Sequence, residues 1–135
     1  MTDNTRVWIV DDDRSIRWVL EKALGGAGIA ASSFPDADTL MRKLRSDVPD
    51  AIISDIRMPG TDGLQLLSRL RSSHPDLPVI ITTAHSDLDS AVASYQGGAF
   101  EYLPKPFDID EVVTVTKRAL AHRRDRQTQI GRAHV

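Results

Sequence analysis

The chain has 135 residues, no cysteine, 41% hydrophobic and 27% charged side chains, and a formal net charge of −2. Without thiols there is no disulfide framework, thiolate metal centre or cysteine nucleophile. No apolar run approaches the ~20 residues of a membrane span, and the opening MTDNTRVWIV lacks the basic and apolar regions of a signal peptide, so a cytoplasmic protein is expected.

The charge is uneven. Residues 1–116 carry 11 basic and 18 acidic side chains, a balance of −7, and residues 117–135 carry 6 basic and 1 acidic, a balance of +5. An acidic body argues against nucleic-acid binding by the body itself. The basic end reads best as a solvated helix end and linker.

In chain order, Val7-Trp8-Ile9-Val10 is a strand-like run. Arg14 to Gly26 places Ile16, Val19, Leu20, Ala23 and Leu24 on one helical face, and Gly25-Gly26 ends it. Ile29 to Phe34 is a weaker strand. Asp36 to Arg45 has helical spacing, with Ala37, Leu40, Met41 and Leu44. Ala51-Ile52-Ile53 is a strand, Gly63 to Ser72 a helix with Leu64, Leu67 and Leu70, and Pro78 to Ile81 a strand. Asp87 to Gln96 is a helix, Phe100 to Leu103 a short strand, and Asp108 to Ala121 a helix with Ile109, Val112, Val113, Thr116 and Leu120. Five strands alternating with five helices predict an α/β fold, a parallel sheet with helices on both faces. The runs ending at Val10, Ile53 and Ile81 are apolar throughout, as strands buried on both faces are. The domain is expected over residues 1–122, with 123–135 a disordered linker or tail.

The polar residues fall in telling places. Asp11, Asp12 and Asp13 follow the first strand, Asp55 the third, Thr82 and Thr83 the fourth, and Lys105 the fifth. In a parallel sheet all strand C-termini share one edge, where open α/β sheets bind ligands. Clustered carboxylates repel and stay ionised only with a cation among them. An all-oxygen donor set selects a hard cation, best Mg2+. A lysine adds a second positive point, a carboxylate can act as a nucleophile, and a threonine hydroxyl can bond a phosphoryl oxygen. These residue types suit phosphoryl transfer. Singly, each has a plainer reading: the acidic triplet caps a helix, Asp55 is a turn residue, Thr83 a satisfied loop hydroxyl, Lys105 a solvated loop side chain. Together on one edge, in the order acid, acid, hydroxyl, lysine, they point to a site. The Lys105–Pro106 peptide is predicted to be cis, which would redirect the chain after a lysine that must point into that site.

The runs IVDDDRSIR (9–17), SDIRMPGTDGLQLL (54–67), TTAHSD (82–87) and YLPKPFDIDE (102–111) resemble bacterial response-regulator receiver domains over about residues 5–122. SIRWVL, TAHSDLDSAV and GAFEYLPKPFDIDE are similar to the nitrogen regulatory protein C group within that family. The resemblance implies a flavodoxin-like (βα)5 fold with strand order 2-1-3-4-5. It implies Asp55 as phospho-acceptor, Asp12 as direct Mg2+ ligand, Asp11 holding the metal's water shell, and the Arg57 backbone carbonyl as a further ligand. Thr83 would be the switch hydroxyl, Lys105 the phosphate-binding cation, and Tyr102 the aromatic that changes rotamer with Thr83. Asp13 is assigned to helix capping. His85 reads equally as an exposed loop histidine or as a residue tuning dephosphorylation. Implied partners are a sensor histidine kinase, a following AAA+ ATPase and helix-turn-helix DNA-binding domain, and a second receiver. The helix from Asp87 to Gln96, ended by Gly97-Gly98, is expected to shift on phosphorylation. Such a domain accepts a phosphoryl group and slowly loses it, and is not otherwise an enzyme.

The main rival is a haloacid-dehalogenase-type phosphatase, whose Asp-x-Asp after the first strand is matched by Asp11–Asp13. Asp11 would then be the nucleophile. The absence of a cap domain and the idle Asp55-x-x-Met-Pro run speak against it. A non-phosphorylated interaction module would need a degenerate site, and this one is complete.

Overall fold

The computed structural model describes residues 5–84 and 88–133. The elements follow in strict alternation: β1 (Arg6–Val10), α1 (Arg14–Gly26), β2 (Ala30–Phe34), α2 (Ala37–Leu44), β3 (Ala51–Asp55), α3 (Gly63–Ser73), β4 (Val79–Ala84), α4 (Leu88–Gln96), β5 (Glu101–Lys105) and α5 (Ile109–Ala133). All strand pairings are parallel, and the sheet order is β2-β1-β3-β4-β5. This is the predicted fold and strand order. Asp87, expected to begin the fourth helix, and His85 lie outside the described residues.

Strand parity divides the core. Val7 and Ile9, Ala51 and Ile53, Ile80 and Leu103 face one side, packed with Leu20 and Leu24 of α1 and Val112, Val115 and Ala119 of α5. Trp8 and Val10, Ile52, and Val79 and Ile81 face the other, packed with Leu40 of α2 and Leu66, Leu67 and Leu70 of α3. β1, β3 and β4 are buried on both faces, which is why they read as continuous apolar runs. β2 lies at the sheet edge and is half exposed, in keeping with its small, polar sequence.

Two differences from the predicted elements bear on function. β4 runs to Ala84, so Thr82 and Thr83 sit within the strand rather than after it. Helix α5 does not stop near Ala121 but runs unbroken to Ala133, through most of the segment expected to be disordered. The apolar periodicity ends at Leu120, so pattern alone stops there. Good helix formers continue beyond it, and the Arg123 guanidinium donates to the Pro49 carbonyl at 3.1 Å, tying the helix to the body past residue 122.

Gly63 opens α3 beneath the end of β3. Its N–H donates to the Ile56 carbonyl at 2.9 Å. A Cβ built there would lie 2.3 Å from the Asp55 carbonyl oxygen and 2.7 Å from the Ile56 Cα, and neither backbone atom can yield. Gly63→Ala is therefore expected to destabilise the fold by about 3 kcal/mol, read as a lower urea midpoint. Gly25→Ala, where a Cβ meets nothing within 4 Å, is expected to leave the midpoint unchanged or raise it slightly.

Candidate functional site

The C-terminal ends of the strands bring together Asp11, Asp12, Asp55 and Lys105. The capping pattern of α1 sets the first of them. Asp13 is the N-cap, its carboxylate accepting from the Ser15 and Ile16 N–H groups at 2.8 and 3.4 Å. The Asp13 N–H in turn donates to Asp11 Oδ1 at 2.8 Å. Asp11 is held on the backbone side as well: its N–H donates to the Phe34 carbonyl at 3.2 Å, and Arg17 Nη1 donates to its carbonyl at 2.7 Å. Asp11 is only 1% exposed, whereas Asp12 is exposed.

Asp55 ends β3, the central strand, and is 8% exposed. Its backbone carbonyl accepts from Ser54 Oγ at 2.9 Å. The next residue, Ile56, donates its N–H to the Thr82 carbonyl at 3.0 Å, which extends the β3–β4 ladder past the site. Lys105, the last residue of β5, reaches back across the sheet edge. Its Nζ lies 3.1 Å from Asp11 Oδ2 and 3.3 Å from Asp55 Oδ1. The Lys105–Pro106 peptide is cis, as predicted.

The electrostatics follow from this crowding. Burial, and then the neighbouring Asp11 carboxylate, push the Asp55 carboxyl above its ordinary value, against the opposing pull of Lys105 and a backbone hydrogen bond from Arg57. For Lys105 burial works to lower the pKa, but Asp11 and Asp55 outweigh it and the net direction is upward. The ammonium therefore stays charged between two carboxylates. One cation against two anions leaves an excess of negative charge, which the exposed Asp12 increases.

Asp11, Asp12 and Asp55 offer carboxylate oxygens that all lie within 4.8 Å of one another. Three hard oxygen donors at one open edge fit a small hard divalent cation, and the absence of His or Cys from the group fits no soft one. Arg57, expected to contribute its carbonyl, lies two residues beyond Asp55, and its backbone already supports the Asp55 carboxylate.

Thr83 lies on β4 one residue past Thr82, the register partner of Asp55, and Tyr102 lies on β5 opposite Ile81; neither is in hydrogen-bond contact with the Asp11, Asp12 or Asp55 carboxylates among the described residues. Thr83 is 1% exposed, and its hydroxyl donates to the Ala84 carbonyl at 3.5 Å rather than to a carboxylate. Tyr102 is half-buried and meets Tyr95 of α4 edge to face, ring centroids 6.4 Å apart. The Tyr95 hydroxyl donates to the Glu101 carboxylate, which also accepts from the Tyr102 N–H at 3.1 Å and from Arg118 Nη2 at 3.1 Å. Burial and then Glu101 push the Tyr95 phenol up to about 12. Sequence reasoning did not single out three features: Asp11 as the closer partner of Lys105, the close approach of Gly63 to Asp55, and the placement of Thr82. The signal for the last was the two-residue strand period counted from Ile80.

The model of the response regulator receiver domain matches residues 7–117. The DNA-binding transcriptional regulator NtrC of Salmonella typhimurium is 59% identical over 121 residues, covering 90% of this chain and 26% of the relative. The C4-dicarboxylate transport transcriptional regulatory protein DctD of Rhizobium meliloti is 42% identical over 118 residues, 87% of this chain and 26% of the relative. The chain thus spans about a quarter of the length of these curated relatives. Among solved structures, the apo receiver domain of nitrogen regulatory protein C superposes with a TM-score of 0.80 at 58% identity, covering 90% of this chain and 98% of that one. NtrX of Brucella abortus superposes with a TM-score of 0.88 at 29% identity, covering 93% of this chain and 29% of that one. The chain belongs to the response regulator receiver domain family, as a receiver of the NtrC type.

Proposed function

We propose that this receiver takes a phosphoryl group on Asp55 from a phosphohistidine of a sensor kinase, and that the modification switches a transcription activator of the nitrogen-regulation type. The observation that carries the reading is the position of the Asp55 carboxylate, at the end of the central strand, within a carboxylate trio and 3.3 Å from a lysine ammonium. An Asp55 oxygen attacks phosphorus and the bond from phosphorus to the donor nitrogen breaks. The electron pair leaves on the imidazole, which takes a proton from water. The product is an acyl phosphate on Asp55.

Asp11, Asp12 and Asp55, with the Arg57 carbonyl, would hold Mg2+, which when bound neutralises phosphoryl charge and orients the phosphoryl oxygens. Lys105 neutralises a second portion of that charge. In the unmodified chain it keeps Asp11 and Asp55 together. Thr83 turns its hydroxyl from the Ala84 carbonyl toward the phosphoryl oxygen, Tyr102 follows it inward, and α4 shifts. This is a population shift driven by a local change of charge. Three features support a movable α4: it is short, it is followed by Gly97-Gly98, and Gly98 adopts φ +96°. The chain takes one phosphoryl group and loses it slowly, rather than turning over a phosphate ester.

Asp13 supports this reading over the phosphatase alternative. The Asp-x-Asp chemistry needs the second aspartate free as acid and base, and here that carboxylate is committed to capping α1. In the longer protein, an AAA+ ATPase and DNA-binding domain would follow and a second receiver would associate. None of the helices described is long and apolar enough to cross a membrane, which accords with action in the cytoplasm.

Incubation with acetyl phosphate and magnesium is expected to add a single phosphoryl group by intact mass, and Asp55→Asn to abolish it. An adduct of equal yield in the variant would remove Asp55 from the role. Chelating magnesium is expected to stop the reaction. Asp12→Asn, at an exposed position that should leave folding intact, is expected to slow it about tenfold or more at fixed magnesium.

A further inference from the structure

A buried hydroxyl stands beside Asp55 with nothing to bond. Thr82 is 1% exposed, and its Oγ1 has no hydrogen-bond partner among the described residues. It is in register with Asp55 across the β3–β4 ladder and with Leu103 across the β4–β5 ladder. Side chains alternate along a strand, so Thr82 shares its face with Ile80, a member of the α1 and α5 core. The same parity puts Asp11 two residues after Ile9, Asp55 two after Ile53 and Lys105 two after Leu103 on that face. Lys105 starts from β5, yet its ammonium lies against Asp55 on β3 and Asp11 on β1. Its stem must therefore cross β4 on the face that Thr82 occupies.

A valine would fill the same volume without burying an unpaired hydroxyl, which is costly. The hydroxyl therefore points to a second state in which it has a partner. The Lys105 ammonium has three donors, and two of them face Asp11 and Asp55. Once an Asp55 oxygen carries a phosphoryl group, that carboxylate is no longer an anion and Lys105 must re-aim. We propose that Thr82 is a positioning residue for Lys105: in the phosphorylated state its Oγ1 accepts one N–H of the ammonium while the remaining donors meet Asp11 and the phosphoryl oxygen. A neutral acceptor suits this task, because it steers the ammonium without competing with the phosphoryl group for its charge. The inference rests on Asp55 as the acceptor.

The test compares wild type, Thr82→Val, Thr82→Ser and Lys105→Ala, and the double variant of Thr82→Val with Lys105→Ala, using acetyl phosphate and magnesium with intact mass against time. Thr82→Val is expected to slow adduct formation about three- to tenfold, the effect of one hydrogen bond. Thr82→Ser, which keeps the hydroxyl, is expected to stay within about twofold of wild type on the same grounds. In the Lys105→Ala background the valine is expected to have no further effect, since coupled residues are not additive. Thermal unfolding of the unmodified chains should place Thr82→Val at or above wild type. A wild-type rate in Thr82→Val, an undiminished valine effect without Lys105, a serine variant as slow as the valine, or a clear fall in the unfolding midpoint would each overturn the inference. Absence of any adduct in wild type would instead overturn the reading of Asp55, and the inference with it.

Discussion

The ammonium of Lys105 sits between two carboxylates that would otherwise repel each other, and the rest of the site is arranged around that contact. Asp11 is fully buried and Asp55 nearly so. Burial first, and then the neighbouring Asp11 carboxylate, push the Asp55 carboxyl upward. Lys105 opposes that push from the far edge of the sheet, spanning 94 positions of sequence. That reach exists because β1, β3, β4 and β5 are parallel and adjacent, so their C-terminal ends form one rim. The fold's contribution to chemistry is to hold charges together that water would separate.

The surrounding backbone fixes these groups. Asp11 is pinned through the Asp13 N–H, while the Asp13 side chain is spent on the helix cap, so adjacent aspartates have separate tasks. Gly63 lets α3 begin in contact with the end of β3, where any side chain would displace the Asp55 backbone. Preorganisation of this kind is what phosphoryl transfer requires, since positioning and charge neutralisation account for most of its catalysis. The α4–β5 side is built differently. Tyr95, through its hydroxyl, and Tyr102, through its N–H, converge on Glu101 at a partly exposed surface.

Much of this was legible in the sequence because hydrophobic period and strand-end position are local signals. Continuous runs at Val7–Val10 and Ala51–Ile53 announced strands buried on both faces, and the residues after them announced the rim. Asp11, Asp12, Asp55 and Lys105, expected at one sheet edge, lie close together there. What was not legible depended on three-dimensional register or on propensity without burial. That Lys105 pairs with Asp11 as well as with Asp55 depends on where β1 and β5 end on either side of β3 and β4. The close approach at Gly63 depends on where α3 docks. The helix beyond Leu120 carries no apolar stripe to mark it, yet it persists on intrinsic propensity and a contact from Arg123. Thr82 and Thr83 were both expected after the fourth strand, and it is the register with Asp55 and Leu103 that sets Thr82 apart.

The most direct test of the central claim, that the rim directs the phosphoryl group to one carboxylate among four, is to trap it chemically. Borohydride reduces an acyl phosphate to the alcohol and converts the modified aspartate to homoserine. Peptide sequencing after acetyl phosphate treatment should find homoserine at position 55 alone. Homoserine at position 11, 12 or 13 would contradict the account and move the nucleophile to the end of β1.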